Sequence, residues 1–102
     1  MTVTIGVDPH KGSHTAVAID DGEVELTAVR VRATRRQVDE LVAWAAPFET
    51  RVWAVESAGG LGYLLSQQLV AAGENVVDVP ASLAARVRVL GSGRSNKNDP
   101  ND

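Results

Sequence analysis

Four acidic residues occupy positions from which they could bind divalent cations together. Asp99 and Asp102 lie three residues apart in the closing segment RSNKNDPND, with Pro100 between them. If Asp99 caps a helix that starts at Pro100, both carboxylates lie on one face of that helix and can reach one target. Asp8 and Glu56, far upstream, each end an apolar segment that is typical of a buried strand. A frayed polar end is the alternative for the closing segment.

Carboxylates gathered in one cleft repel each other unless cations lie between them. Oxygen ligands suit Mg²⁺ or Mn²⁺, and the sequence has no cysteine from which a thiolate site could be built. A pair of such ions ~3.5–4 Å apart activates an attacking oxygen and stabilises the leaving oxygen in phosphoryl transfer. Each residue also has a simpler explanation when it is considered alone. Asp8 precedes a proline and is typical of a turn, and Glu56 is typical of an acidic residue that stabilises the N-terminus of the following helix. Their joint placement favours a cation site shared by Asp8 and Glu56. For Asp99 and Asp102, spacing alone favours the frayed polar end.

The spacing of apolar residues predicts an α/β fold with the element order β-β-β-α-β-α-β-α. Asp20-Asp21-Gly22 indicates a hairpin turn of the Asp-Gly kind, and Thr34 with Gln37 is the pattern of a capping box. The predicted strands cover residues 2–8, 14–19, 23–31, 51–56 and 75–79. The first predicted helix runs from 34 to near 47, the second from the turn at 57–60 to Gly73, and the third from Pro80 to Gly91. One face of the second helix carries Leu61, Leu64, Leu65, Leu69 and Ala72.

Three antiparallel strands followed by strand–helix–strand crossovers build a mixed sheet with helices on its faces. In open sheets of this kind, ligands bind outside the carboxyl ends of the strands, where the strand order reverses. If the first and fourth strands are parallel neighbours, Asp8 and Glu56 project from the same edge of the sheet. The proposed site depends on that condition.

Length and composition are those of one small domain with a modest core. The chain has 102 residues, of which 44% are hydrophobic. No apolar run reaches membrane-spanning length, and no basic head precedes an apolar stretch at the start. The expectation is a cytoplasmic protein that does not enter the membrane.

The formal net charge of −3 conceals clusters of basic residues. Setting the four candidate ligands aside makes the balance slightly positive. Clustered arginine and lysine can contact phosphates, although a solvated surface is the simpler explanation for the first cluster. The first cluster is Arg30, Arg32, Arg35 and Arg36; the second, with no acid between its members, is Arg86, Arg88, Arg94 and Lys97.

The segments IGVDPHKGSHTAVAID, AVESAGGLGYLLSQQL and GRSNKNDPND follow one another along the chain. Together they resemble the N-terminal RuvC-like domain of the DEDD-type insertion-sequence transposases, the IS-one-ten class. Asp8 and Lys11 match that family's strand-end Asp-x-His/Ser-Lys motif, and Glu56 with Ser57 matches its Glu before a Ser/Thr-x-Gly turn. The closing Lys-x-Asp-x-x-Asp of the family is matched by Lys97, Asp99 and Asp102.

The resemblance implies a ribonuclease H-like (RuvC-like) mixed sheet of five strands, three antiparallel and then two parallel, with helices on its faces. It implies divalent-metal-dependent cleavage and transfer of DNA strands, with Mg²⁺ (or Mn²⁺) held by the four acids. It also implies a guide (bridge) RNA in members that use one, and a homo-oligomer of the full-length protein. The residues expected to contact nucleic acid are Lys11, Arg86, Arg88, Arg94 and Lys97.

The expected division is a ribonuclease H-like core over residues 1–91, then a polar loop and the start of a truncated catalytic helix over 92–102. The family's C-terminal transposase domain, with its serine nucleophile, is expected to be absent. Asn98 stands where threonine is common, and Asp102 ends the chain where alanine and a helix would follow. A ligand without a supporting helix is poorly held. The chain is therefore expected to fold, to bind metal weakly and to be inactive alone.

Two other interpretations are open. One is half of an actin-like or sugar-kinase ATP-binding fold, in which Gly12 and Ser13 would cradle phosphate; it does not explain the Lys-x-Asp-x-x-Asp ending. The other is a non-enzymatic α/β interaction module. His10 and His14 are expected to be polar turn or strand residues, with His10 close to a bound phosphate.

Overall fold

The computed structural model of the protein describes residues 1–56 and 60–79. Up to residue 79 the elements follow the predicted order, whereas the third predicted helix, from Pro80 to Gly91, lies outside the described residues. Neither helix in the described ranges is long and apolar enough to cross a membrane. In chain order the elements are β1 (Val3–Pro9), β2 (Ser13–Ile19), β3 (Glu25–Arg32), α1 (Gln37–Ala45), β4 (Arg51–Glu56), α2 (Tyr63–Ala71) and β5 (Val76–Val79).

The five strands form one mixed sheet in the order β3-β2-β1-β4-β5. β1, β2 and β3 pair antiparallel, whereas β4 pairs parallel with β1 and β5 pairs parallel with β4. Short turns connect the antiparallel strands, and a helix precedes each of the two parallel strands because a parallel return needs a crossover. This arrangement confirms the predicted sheet of three antiparallel and two parallel strands.

One face of the sheet packs against both helices and forms the main hydrophobic core. Alternate strand residues point to the same face, so Val3, Ile5 and Val7 of β1 are all buried there. Trp53 of β4 is the largest fully buried side chain among the described residues. Helix α1 contributes Leu41 and Ala45, and helix α2 contributes Leu65 and Leu69.

The buried face of α2 is narrower than the predicted stripe. Leu65 and Leu69 are buried, but Leu61 and Leu64 are 61% and 60% exposed. Leu61 precedes the first helical residue, and Leu64 is rotated by more than a quarter turn from Leu65. An apolar pattern shows which residues can be buried, but the neighbouring elements decide which of them are covered.

Helix α1 begins without the predicted capping box. Thr34 Oγ1 accepts a hydrogen bond from the N–H of Arg36 at 3.1 Å, but the Gln37 side chain does not turn back to the helix start. It is buried instead, with Oε1 2.9 Å from His14 Nε2 and Nε2 donating to Gln68 Oε1 at 2.7 Å. A buried amide needs partners for both of its polar atoms, and His14 and Gln68 supply them.

The turn between β2 and β3 is longer than the Asp-Gly pattern indicates. Asp20 Oδ1 accepts hydrogen bonds from the N–H groups of Gly22 and Val24, both at 2.9 Å. The residue with positive φ is Glu23, at 63°, rather than Gly22. The side chain of Asp20 thus organises a wider loop, and β3 begins at Glu25 instead of residue 23.

A polar cluster joins the end of α1, the start of β4 and the loop after α2. Glu74 accepts two hydrogen bonds from Arg51, each 2.8 Å long, and a third from Trp53 Nε1 at 2.7 Å. Arg51 also donates to the carbonyl oxygens of Phe48 and Ala45. The hydrogen bond from Arg51 lowers the pKa of Glu74, which burial alone would raise. With side chains 17% and 11% exposed, Arg51 and Glu74 form a shielded pair.

Helix α2 begins close to the carboxyl end of β4 because residue 62 is glycine. A Cβ at Gly62 would lie 2.8 Å from the carbonyl oxygen of Glu56 and 2.8 Å from Val55 Cγ1. The first of these atoms belongs to the backbone and cannot rotate away. Gly62 therefore allows the chain to pass beside Glu56 before it enters α2.

We expect Glu74→Gln to lower the free energy of unfolding by about 2 kcal/mol at neutral pH, since an amide cannot accept from both Arg51 nitrogens. The stabilisation by ionised Glu74 is fully present above its ordinary pKa of 4.5 and is lost as pH falls through the lower pKa of the folded protein. Urea unfolding should therefore show that the variant and the unmodified chain converge below pH 4.5. Glu49→Gln, at an exposed position, is the control; a loss of the same size in both variants would contradict this role of Glu74.

We expect Gly62→Ala to lower the free energy of unfolding by about 1–3 kcal/mol, because the added methyl group must displace backbone at Glu56. Gly12→Ala is the matched control, since a Cβ there has no other atom within 4 Å. Thermal denaturation of both variants measures the difference. Equal melting temperatures would show that α2 can shift away from β4 at no cost.

Candidate metal centre

Asp8 and Glu56 lie on neighbouring strands at the same height of the sheet. β1 and β4 pair in parallel, with Val7 opposite Val55 as the last pair of their register. Asp8 and Glu56 each follow one residue later, so both stand at the carboxyl edge of the sheet. The parallel pairing of the first and fourth strands is the condition on which the predicted site depends.

Both carboxylates belong to the face of the sheet that turns away from α1 and α2. Val7 and Val55 are buried in the core on the helix side, and the next residue of each strand points to the opposite face. We call the face that bears Asp8 and Glu56 the carboxylate face. Ala54 and Val79 form a small second apolar cluster of buried residues.

The surroundings of the two acids restrict their contact with water. The Asp8 side chain is 19% exposed, and His10 Nδ1 lies 3.7 Å from Asp8 Oδ2 and 3.3 Å from the Asp8 carbonyl oxygen. Glu56 Oε1 is shielded from solvent. Adjacent, partly desolvated carboxylates of this kind suit a small divalent cation, because they offer hard oxygen ligands and gain most from a positive charge between them.

The described residues supply two of the four predicted ligands. Asp99 and Asp102 lie outside the described residues, and within 1–56 and 60–79 no group of three or more His, Cys, Asp or Glu side chains could hold a metal ion. The structure thus brings Asp8 and Glu56 to one edge of the sheet. A four-carboxylate centre stays a prediction.

Several basic residues surround this edge. Lys11, a predicted nucleic-acid contact, is exposed in the turn between β1 and β2. Arg30 and Arg32 are exposed on β3, and alternation with buried Val31 places both on the carboxylate face. The other predicted nucleic-acid contacts, Arg86, Arg88, Arg94 and Lys97, lie outside the described residues.

The hydrogen-bonded chain from His14 through Gln37 to Gln68 was not predicted from the sequence, although the signals were present. His14 alternates with the core residues Ala16 and Ala18 on β2, and Gln37 precedes Leu41 by four residues on α1. Both positions therefore face the core by strand and helix spacing.

A cavity of about 520 Å³ lies next to this chain of side chains, between the β1–β2 turn, the start of α1 and α2. His10, Lys11 and Arg35 contribute to its lining, but Asp8 and Glu56 do not. The cavity is therefore separate from the candidate metal centre.

A curated relative of this chain comes from an insertion element. The insertion element IS116 uncharacterized 44.8 kDa protein of Streptomyces clavuligerus is 38% identical over 100 residues, which is 95% of this chain and 25% of the relative. The chain thus spans about a quarter of the length of this curated relative.

The fold has a counterpart among solved nucleases. The large terminase nuclease from the thermophilic phage G20c superposes with a TM-score of 0.64, covering 91% of this chain and 56% of that chain, at 15% sequence identity. At so low an identity the likeness shows the fold alone. It confirms the ribonuclease H-like architecture expected from the resemblance.

The family assignment rests on the sequence. The DEDD_Tnp_IS110 family, described as Transposase, matches residues 5–102, which include the Asp8 and Glu56 motifs and the closing Lys-x-Asp-x-x-Asp. A match over nearly the whole chain confirms the resemblance seen in the three segments. The chain therefore belongs to the IS110 family of DEDD transposases.

Proposed function

We propose that this chain is the N-terminal catalytic domain of a DNA transposase, in which divalent metal ions support cleavage and transfer of DNA strands. The observation that carries the proposal is the placement of Asp8 and Glu56 on adjacent parallel strands, at one edge and on one face of the sheet. Family membership and the nuclease-like fold support an enzyme of the nuclease and transposase kind.

Asp8, Glu56, Asp99 and Asp102 are the proposed catalytic and metal-binding residues. Asp8 and Glu56 would hold the ions from the rigid edge of the sheet, and Asp99 and Asp102 would complete the set. When bound, Mg²⁺ or Mn²⁺ supplies activation of the attacking oxygen and charge stabilisation at the reacting phosphate. Since β1 and β4 are paired along their length, the backbone at Asp8 and Glu56 is fixed before any ion arrives.

DNA is the proposed substrate, and Lys11, Arg86, Arg88, Arg94 and Lys97 are the proposed contacts to nucleic acid. A guide RNA and assembly into a homo-oligomer belong to the same proposal for the whole protein, as does a cytoplasmic location. The polar segment over 92–102 is proposed to hold the last two ligands next to the core formed by 1–91. Full activity would also require a second domain with the serine nucleophile, which we propose is not part of these 102 residues.

We expect Mn²⁺ to bind the 102-residue chain weakly and to raise its melting temperature. Asp8→Asn or Glu56→Gln should weaken Mn²⁺ binding about tenfold or more, because each removes a charged oxygen ligand. Calorimetric titration and thermal denaturation measure the two effects.

The matched control for this experiment is Asp78→Asn. Asp78 lies opposite Val55 on β5, so it is close in the sheet to the candidate ligands but on the helix side. The Mn²⁺ affinity of the Asp78→Asn variant should equal that of the unmodified chain. Unchanged Mn²⁺ affinity in both Asp8→Asn and Glu56→Gln would refute a shared metal centre.

We expect the 102-residue chain alone to show no DNA cleavage or strand transfer, even with saturating Mg²⁺ or Mn²⁺. The physical reason is that a metal centre without firm support for all of its ligands lacks the geometry for reaction. Incubation with supercoiled plasmid, followed by gel analysis, measures any nicking. Nicking that disappears in Asp8→Asn would show that the chain is active alone and would disprove this part of the proposal.

A further inference from the structure

A single row of residues crosses the sheet through the candidate metal centre. Arg30 of β3 pairs with Thr15 of β2, and Thr15 pairs with Asp8 of β1. Glu56 of β4 continues the row, one step beyond the pair formed by Val7 and Val55. Residues of one row that point to the same face form a continuous line of side chains.

All four residues of the row point to the carboxylate face. Thr15 alternates with the core residue Ala16, and Arg30 alternates with the core residue Val31. Arg30 is exposed, and among residues 1–56 and 60–79 no carboxylate makes an ion pair with it. The described residues therefore leave its charge unneutralised.

Arg30 lies close enough to Asp8 to contact a phosphate near one that is bound at the acids. Two strand spacings separate Arg30 from Asp8, which is about 9.6 Å at ~4.8 Å per spacing. Phosphates of one DNA strand rise ~3.4 Å per nucleotide along the axis and also wind around it. Neighbouring phosphates are therefore further apart than this rise, and a phosphate one or two nucleotides away lies within reach of Arg30. An arginine held on a paired strand is also well suited to phosphate, because its planar guanidinium donates two parallel hydrogen bonds.

We propose that Arg30 binds a backbone phosphate of the same DNA strand whose reacting phosphate lies at Asp8 and Glu56, and so positions that strand. This inference rests on the proposed function and adds a positioning residue. The sequence alone does not distinguish Arg30 from its neighbours Arg32, Arg35 and Arg36. Thr15, which lies between Arg30 and Asp8, is uncharged, so it does not neutralise the contact. Arg32, two residues further along β3, extends the basic surface away from the acids.

The experiment compares Arg30→Gln with Arg36→Gln in anisotropy titrations of a labelled, mixed-sequence DNA duplex in Mg²⁺ buffer at several salt concentrations. Arg36 belongs to the same sequence cluster and is exposed, but it lies at the start of α1, on the helix side of the sheet. Arg30→Gln should weaken binding about 3- to 10-fold and reduce the slope of log K against log salt by about 1. Arg36→Gln should stay within about twofold of the unmodified chain.

A second measurement locates the contact. The affinities of the unmodified chain and of Arg30→Gln are measured for a series of duplexes, each with one phosphate replaced by a neutral methylphosphonate. The replacement at which the two proteins bind with equal affinity marks the phosphate held by Arg30. We expect one such position. Circular dichroism verifies that Arg30→Gln folds, and its Mn²⁺ affinity should be unchanged because Arg30 is not a metal ligand.

The outcomes separate this inference from the proposed function. If the unmodified chain bound no DNA, the proposed function would fail and the inference with it. If the chain bound DNA but Arg30→Gln and Arg36→Gln lost equal affinity, only the role of Arg30 would be overturned. A loss confined to an RNA duplex of the same sequence would assign the contact to RNA and overturn the assignment to DNA.

Discussion

The parallel pairing of β1 with β4 is the constraint on which the rest of the structure depends. β4, which follows the crossover through α1, lies beside β1, the first strand of the antiparallel meander. The pairing therefore changes from antiparallel to parallel at β1, in the middle of the sheet. β1 and β4 end at the same height of the sheet, and Val7 and Val55 are their last core residues. Asp8 and Glu56, which follow these valines, both point away from the helices. Two acids that are 48 positions apart in sequence thereby become neighbours. A shift of the register by one residue would move one acid into the helix-side core, where an unpaired charge is strongly destabilising.

Much of this arrangement could be predicted from the sequence, because it follows from local patterns. Alternating apolar residues marked all five strands, and the change to helical spacing marked α1 and α2, which together determine a mixed sheet. The prediction was wrong where distant side chains decide the outcome. Gln37 was expected to cap α1, but it is buried between His14 and Gln68. Leu61 and Leu64 were expected on the same helix face as Leu65 and Leu69, but they are exposed whereas those two are buried. In each case the local pattern allowed two outcomes, and a neighbouring element determined which one occurred.

Only part of the candidate site could be predicted from the order of strands and helices. The sequence placed Asp8 and Glu56 at strand ends, and the sheet order then required them to meet, so half of the set follows from topology alone. Asp99 and Asp102 follow from the family motif, since no strand or helix of the described residues fixes their position. The cluster of Arg51, Trp53 and Glu74 had no sequence signature, because its partners are 21 and 23 residues apart and come from a strand and a loop. It nevertheless anchors the start of the strand that ends at Glu56.

In the proposed function, bound cations and Arg30 have different electrostatic roles on the carboxylate face. A phosphate brought within ~4 Å of a carboxylate is repelled by about 4 kcal/mol at an effective dielectric constant of ~20. A positive charge about 10 Å from that phosphate returns less than half of this energy under the same conditions. In the proposed function, Arg30 alone would therefore not make the reacting phosphate stable beside Asp8 and Glu56, and ions bound between the acids would supply the larger part. What Arg30 can do is hold a neighbouring phosphate at full contact, which fixes the direction of the strand without competing for the metal ligands.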